Sequence, residues 1–234
     1  MALLSLFRPV PLACGEVCLY WVNLAALPRD VYSYLATCLV ESDWRELHQA
    51  SSYARRERLL VSRGLVRVLL GARLGVTPAA VPLARQAGGK WHLPGHALHV
   101  NVSHSGWVWV CALGEGVAVG VDVERIRPLH CLRRLVERYT TAAERHYWQT
   151  FAPGERGFLQ LWVAKEAYAK ALGTGLRGML GRFRELDTLH PREMGLPGGW
   201  QAQLERFTLG SDYVGAVCWG VIPVADASAP DQTQ

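Results

Sequence analysis

The spacing of apolar residues changes period several times along the chain. Residues 16–24 (EVCLYWVNL) alternate in part, as a half-buried strand does. From Glu41 to Leu74 the period turns helical. Leu59, Leu60, Gly64, Val66, Leu69 and Leu70 recur among arginines, with the longer part after Tyr53, and Gly75 and Pro78 stop the run. A Gly- and Pro-rich loop at 87–95 (AGGKWHLPG) leads into ALHVNVSHSG and WVWVCALG, two strand-like runs parted at Ser105 and Gly106, which predicts a hairpin. After Gly114 and Gly116, residues 117–123 (VAVGVDV) form the most apolar β-branched run and predict a central strand. Helical patterns follow near 129–137, 141–150 and 155–172, the last stopping at Gly173; strand character returns at 200–208 and 212–222. The order of strand, helices and paired strands thus occurs twice without a sequence repeat. The expectation is an α+β fold of two similar α/β lobes related by pseudo-two-fold symmetry, with an N-terminal lobe at 1–114, a C-terminal lobe at 115–224 and a flexible tail at 225–234.

Composition narrows the class. The chain has 234 residues, 50% hydrophobic and 19% charged, which excludes disorder for most of it and suits one large domain or two small packed lobes. No apolar run is long enough for a membrane helix, and Arg8, Pro9 and Pro11 cut the opening stretch too short for a secretory signal, so a soluble cytoplasmic protein is expected. A net charge of +5 permits an anionic ligand without demanding nucleic acid. Lysine occurs only at Lys90, Lys165 and Lys170, against 22 arginines. The six cysteines (Cys14, Cys18, Cys38, Cys111, Cys131, Cys218) are scattered and are expected as buried thiols in a reducing compartment. His92, His96, His99 and His104 fall close together, but Pro94 and Gly95 interrupt them and no pair has i, i+4 spacing on an unbroken helix, which argues against a metal cluster.

Three clusters carry candidate chemistry. Asp122 and Glu124 leave one face of a strand while Val121 and Val123 point to the other, setting two carboxylates side by side. Such a pair suits Mg²⁺ or Mn²⁺; alternatively the strand emerges into solvent and Glu124 pairs with Arg125 or Arg127. In LWVAKEAYAKALGTGL (161–176), Trp162, Glu166 and Lys170 share a helix face and Lys165 lies one step round. The Glu–Lys pair suits an ordinary surface helix, but the tryptophan and the following Gly-x-Gly suit a ligand. In NVSHSG (101–106), Val100 and Val102 face one way and Asn101 and Ser103 the other, leaving Ser103, His104 and Ser105 at the strand end as donors for a phosphate. A serine nucleophile is disfavoured, because adjacent strand residues point apart and no G-x-S-x-G elbow is present.

In this order, NVSHSG, GVDVERIRP (120–128) and WVAKEAYAKALGTGL (162–176) resemble the 4′-phosphopantetheinyl transferase superfamily, specifically its surfactin-type (Sfp-type) enzymes. The resemblance implies an enzyme that transfers the phosphopantetheine arm of coenzyme A to a serine of an acyl or peptidyl carrier protein, releasing 3′,5′-ADP. It implies Asp122, Glu124 and Glu166 as ligands of Mg²⁺ (or Mn²⁺), with Glu166, a water or Asp122 as the base for the carrier serine. Lys170 would contact the α-phosphate and protonate or neutralise the leaving group, while Ser103 and His104 would hold the 3′-phosphate. Lys90 matches the lysine of a Gly-Lys-Pro element, with Trp91 in place of the proline. Basic residues before and within the family's first long helix reach the 3′-phosphate; Asp43 and Glu46 occupy part of that stretch here, and Arg45, Arg58 and Arg63 are the substitutes, Arg58 the best placed. A monomer acting on coenzyme A and a carrier protein follows, with no nucleic acid or membrane partner. A metal-dependent nuclease, or a non-catalytic coenzyme A-binding module, is the alternative.

Overall fold

The computed structural model describes residues 2–13, 15–86, 89–173, 188–189 and 201–221. After a 3-10 turn come β1 (Arg8–Val10), β2 (Val17–Asn23), α1 (Arg29–Thr37), α2 (Glu41–His48) and α3 (Tyr53–Leu74). A small hairpin of β3 (Ala84–Arg85) and β4 (Trp91–His92) precedes β5 (Leu98–Ser105), β6 (Val108–Glu115) and β7 (Ala118–Arg125). Then follow α4 (Leu132–Tyr139), α5 (Ala142–Thr150), α6 (Glu155–Leu172), β8 (Gln201–Leu209) and β9 (Tyr213–Val221). The helical run at 41–74 is two helices. Ser52 accepts the N–H of Arg55 and caps α3 afresh, and Gly75, at φ 69°, closes it.

Two antiparallel sheets, ordered β1-β2-β6-β5 and β7-β9-β8, pack face to face with a helical layer outside each. Alternation along the strands builds this arrangement. Trp109, Cys111 and Leu113 of β6 join Leu35, Leu65 and Leu70 of the helices, whereas Val108, Val110 and Ala112 meet Val119, Val121 and Val123 of β7. The far face of the second sheet, through Ala118, Ala216 and Cys218, is covered by Val163, Ala164, Ala167 and Ala171 of α6. Covered on both sides, β6 and β7 are buried almost end to end, and each fully buried Val or Leu contributes about 1.5–3 kcal/mol.

One contact fixes the helix that matters most. A Cβ at Gly120 of β7 would lie 2.1 Å from the Ala167 carbonyl and 2.3 Å from the Ala171 nitrogen, so only glycine admits α6 this close. The β5–β6 turn falls one residue later than the sequence implied. It is Gly106–Trp107, with Gly106 at φ 54°, because Ser105 still pairs with Val108.

Two of the expected buried thiols are exposed. Cys18 sits at an outward position of alternating β2, and Cys131 lies in the turn before α4 at φ 59°; Cys38, Cys111 and Cys218 are buried. The helix α1, strand β1 and the β3–β4 hairpin were not read from the sequence. Cys14, Gly175 of the Gly-x-Gly and the tail at 225–234 lie outside the described residues. Among the described residues no helix is long and apolar enough to cross a membrane.

Candidate active site

The site lies where the edge strand of one sheet, β5, runs against the edge strand of the other, β7. From Asn101 onward, every second residue of β5 reaches across. Asn101 Oδ1 accepts the Val121 N–H at 2.9 Å, Ser103 Oγ donates to Asp122 Oδ1 at 2.7 Å, and Ser105 Oγ donates to Glu124 Oε2 at 2.8 Å. Asp122 and Glu124 do share a face, with Val121 and Val123 in the core behind them. The expected row of three donors is divided. Because β5 stays extended through Ser105, Ser103 and Ser105 turn to the carboxylates and His104 turns away from them.

Helix α6 supplies the other half. Its close approach at Gly120 brings Lys170 onto the β7 carboxylate: Lys170 Nζ donates to Asp122 Oδ1 at 2.7 Å, to Ser103 Oγ at 3.0 Å and to the Val121 carbonyl at 3.1 Å. Burial raises the Asp122 carboxyl, and Lys170 and Ser103 pull it back. Glu166, 4% exposed, is pushed up to about 7 by burial first and by Asp122 next, with Lys170 opposing. Two buried oxygens, Asp122 Oδ2 and Glu166 Oε1, have no hydrogen-bond partner among the described residues. Trp162 of the same helix packs edge-on to Tyr139 with ring centroids 5.2 Å apart, so it steadies the helix against α4.

A divalent cation fits this donor set. Two buried carboxylate oxygens without partners among the described residues, and a carboxyl pushed up by burial and by the carboxylate beside it, are what hard oxygen ligation relieves. In the present arrangement the carboxylates are neutralised separately, Asp122 by Lys170 and Glu124 by Arg127 Nη1 at 2.8 Å, and among the described residues no three acidic, His or Cys side chains converge as ligands.

A cleft of about 560 Å³ opens beside these groups. Arg55, Arg58, Arg63, Arg85, Lys90, Ser103, His104 and Lys170 line it, which makes it strongly cationic. Burial holds His104 below its ordinary value, and Arg58 and Lys170 add to that. Lys90 is lowered to about 8 by burial, and its Nζ donates to the Ala171 carbonyl at 2.5 Å, tying the loop after β3 to the end of α6. The two acids that displaced basic residues in the sequence have structural work. Asp43 holds buried Arg67 at 2.6 Å, and Glu46 grips Arg63 at 2.9 Å and Arg85 at 2.8 Å. Both of the latter guanidiniums lie over Trp91, 4.3 and 4.2 Å from its ring, so Trp91 braces the wall instead of turning the chain as a proline would. Arg63 is therefore at the cleft but committed, whereas Arg58 and Arg55 carry no ion pair among the described residues. Arg45 faces a neighbouring hollow, 3.8 Å from Glu41.

Sequence reasoning missed Arg55, Arg85 and the grip of Ser105 on Glu124; the pairing of Glu124 with Arg127, one of the two arginines the sequence offers it, is present in the structure. The signal for Ser105 was its two-residue offset from Ser103, which matches the offset of Glu124 from Asp122.

A family model described as the 4′-phosphopantetheinyl transferase superfamily matches residues 118–218. The chain is 32% identical over 155 residues to the 4′-phosphopantetheinyl transferase HetI of Nostoc sp., covering 64% of this chain and 65% of that protein. It is 30% identical over 167 residues to a 4′-phosphopantetheinyl transferase of Bacillus subtilis, covering 69% and 73%. The 4′-phosphopantetheinyl transferase gsp of Aneurinibacillus migulanus is 27% identical over 153 residues, covering 64% and 62%. The chain thus spans about two thirds of the length of the curated relatives it matches.

Proposed function

The chain belongs to the 4′-phosphopantetheinyl transferase superfamily, and from that premise we propose that it transfers the phosphopantetheine arm of coenzyme A to a serine of an acyl or peptidyl carrier protein, releasing 3′,5′-ADP. The observation that carries this reading is the pair of buried oxygens on Asp122 and Glu166, without partners among the described residues and set beside Lys170 at a cationic cleft. Asp122, Glu124 and Glu166 would hold Mg²⁺, whose chemistry when bound is to polarise phosphoryl oxygens. The chain's own side chains do the rest. Glu166, directly or through a water, accepts the proton of the carrier serine, with Asp122 as the other carboxylate within the same cluster. Lys170 Nζ, already converging on the Asp122 carboxylate, contacts the α-phosphate and neutralises the leaving 3′,5′-ADP. His104, with Arg58 and Arg55, holds the 3′-phosphate, and Lys90 and Arg85 line the path of the nucleotide. Ser103 contributes to that end of the cleft through its backbone and shape, since its hydroxyl is given to Asp122.

We also infer that residues 1–114 and 115–224 form two similar lobes. Each places a long helix, α3 or α6, over an antiparallel sheet, and that supports the pairing. A pair of lobes in one chain favours a monomer, and free cysteines suit a reducing cytoplasm. The test is incubation with coenzyme A, Mg²⁺ and an apo carrier protein, read by intact mass. A gain equal to the phosphopantetheine arm is expected. No gain with any carrier, together with cleavage of DNA, would favour a metal-dependent nuclease instead.

A further inference from the structure

Ser105 lies outside the residues to which the proposed reaction gives a role, yet its hydroxyl is fixed on both sides. Its Oγ accepts the Arg125 N–H at 3.0 Å, so its proton has one good direction, and it goes to Glu124 Oε2 at 2.8 Å. The same oxygen takes Arg127 Nη1 at 2.8 Å, and Arg127 is itself tethered to the Arg125 carbonyl at 3.0 Å. Two donors thus converge on one oxygen of Glu124, and among the described residues none reaches the other. Two residues earlier, Ser103 does for Asp122 what Ser105 does for Glu124. Equal two-residue offsets on β5 and β7 make the pair of serines a ruler laid along the two carboxylates.

We propose that Ser105 is a positioning residue: with Arg127 it pins one carboxylate oxygen of Glu124 and leaves the other for a divalent cation shared with Asp122 and Glu166. The proposal rests on the transferase reading for its purpose, but not for its test. Hydrogen-bond partners that orient metal ligands change metal affinity by roughly 10–100-fold when removed. Mn²⁺ titration of the full chain, followed by electron paramagnetic resonance with and without coenzyme A, reads this without turnover. Ser105→Ala is expected to weaken Mn²⁺ binding by at least about 10-fold, and Ser105→Thr, which keeps the hydroxyl, to restore most of it. In a Glu124→Gln background Ser105→Ala is expected to add little, since it acts through Glu124. In the transfer assay the variant should need more Mg²⁺ for half-maximal rate while its KM for coenzyme A stays put; a role confined to folding would not be reversed by added Mg²⁺. If Ser105→Ala does not fold, Ser105→Cys, a weaker donor of similar shape, should bind Mn²⁺ less tightly than Ser105→Thr. Wild-type Mn²⁺ affinity in Ser105→Ala, equal affinity of the Cys and Thr variants, or an undiminished loss in the Glu124→Gln background overturns the proposal, as does a wild-type chain that takes up no Mn²⁺. If the Mn²⁺ results hold and the wild type loads no carrier, the transferase reading falls and the positioning role stands.

Discussion

Replacing Lys90 by Met separates two roles that the structure gives to one ammonium group. Lys90 lines the cationic cleft, and its Nζ reaches across to the Ala171 carbonyl at the end of α6. Burial lowers it from 10.5 to about 8, which corresponds to about 3 kcal/mol against keeping the buried group charged at neutral pH. Methionine keeps most of the stem and removes the charge. The Ala171 carbonyl then loses its donor, at a cost of about 1–3 kcal/mol, so near pH 7 the two contributions largely cancel and the absolute stability changes little. The pH dependence does not cancel. Between about 8 and 10.5 the unfolded chain still binds the proton that the native chain has released, so wild-type stability, taken relative to the Met variant, climbs with pH across that window. The gain should total about 3 kcal/mol and level off above it. Urea unfolding of both proteins from pH 7 to 11 measures the difference, and other titrating groups cancel. At pH 7 the variant should also bind coenzyme A roughly 10-fold or more weakly, the value of one charge-assisted hydrogen bond. A difference that is flat with pH refutes the buried ammonium; unchanged coenzyme A affinity refutes its place in the binding cleft.

The other expectations concern single side chains. Asp122→Ala should abolish carrier modification, read by intact mass, while circular dichroism stays native; the carboxylate holds Lys170 and Ser103 and lies outside the apolar core clusters. His104→Ala should weaken coenzyme A binding by roughly 10-fold yet leave the affinity for dephospho-coenzyme A nearly unchanged, and an equal loss for both would remove His104 from the 3′-phosphate. Gly120→Ala should destabilise the fold by roughly 3 kcal/mol or more in denaturant, since its methyl would strike the Ala167 carbonyl; a neutral result would mean that α6 does not lie as close as described. Lys170→Arg should lower kcat on the order of 10²-fold, and a fully active variant would show that a compact donor is not needed there.

Periodicity carried most of the fold because the strands and helices that matter are long and one-sided. The run at 117–123 became β7, and 155–172 became α6 at both ends. What it did not carry were short elements without a period. Strand β1 has three residues and β3 and β4 two each, too few to show an alternation, and each is held by pairing with the strand next to it in the chain. The carboxylates and Lys170 were legible because they recur at fixed local spacing. Their partners were not, since Ser103 and Ser105 reach residues 19 positions away across a seam between two sheets. Nor was the fate of the acids in α2, where Asp43 and Glu46 serve arginines 24 and 17 residues downstream.

The scarcity of lysine takes a physical form in the structure. Arginine is buried where several acceptors surround a flat fork: Arg67 meets Asp43 and the carbonyls of Pro78 and Val81, and Arg63 bonds both oxygens of Glu46 while lying over Trp91. Each lysine stands instead where donors must converge from a point. Lys170 places three bonds of 2.7 to 3.1 Å on a carboxylate, a hydroxyl and a carbonyl that crowd one ammonium. Lys90 meets a helix-terminal carbonyl. Lys165, adjacent to Glu166, turns away from the site to buried Glu144 at 2.8 Å. That carboxylate already accepts from the backbone of Thr141 and twice from Thr188, which leaves little for the five donors of a guanidinium. Two of the three lysines thus belong to the cleft. The third locks α6 to α5, and that lock holds the helix from which Glu166 and Lys170 reach the seam.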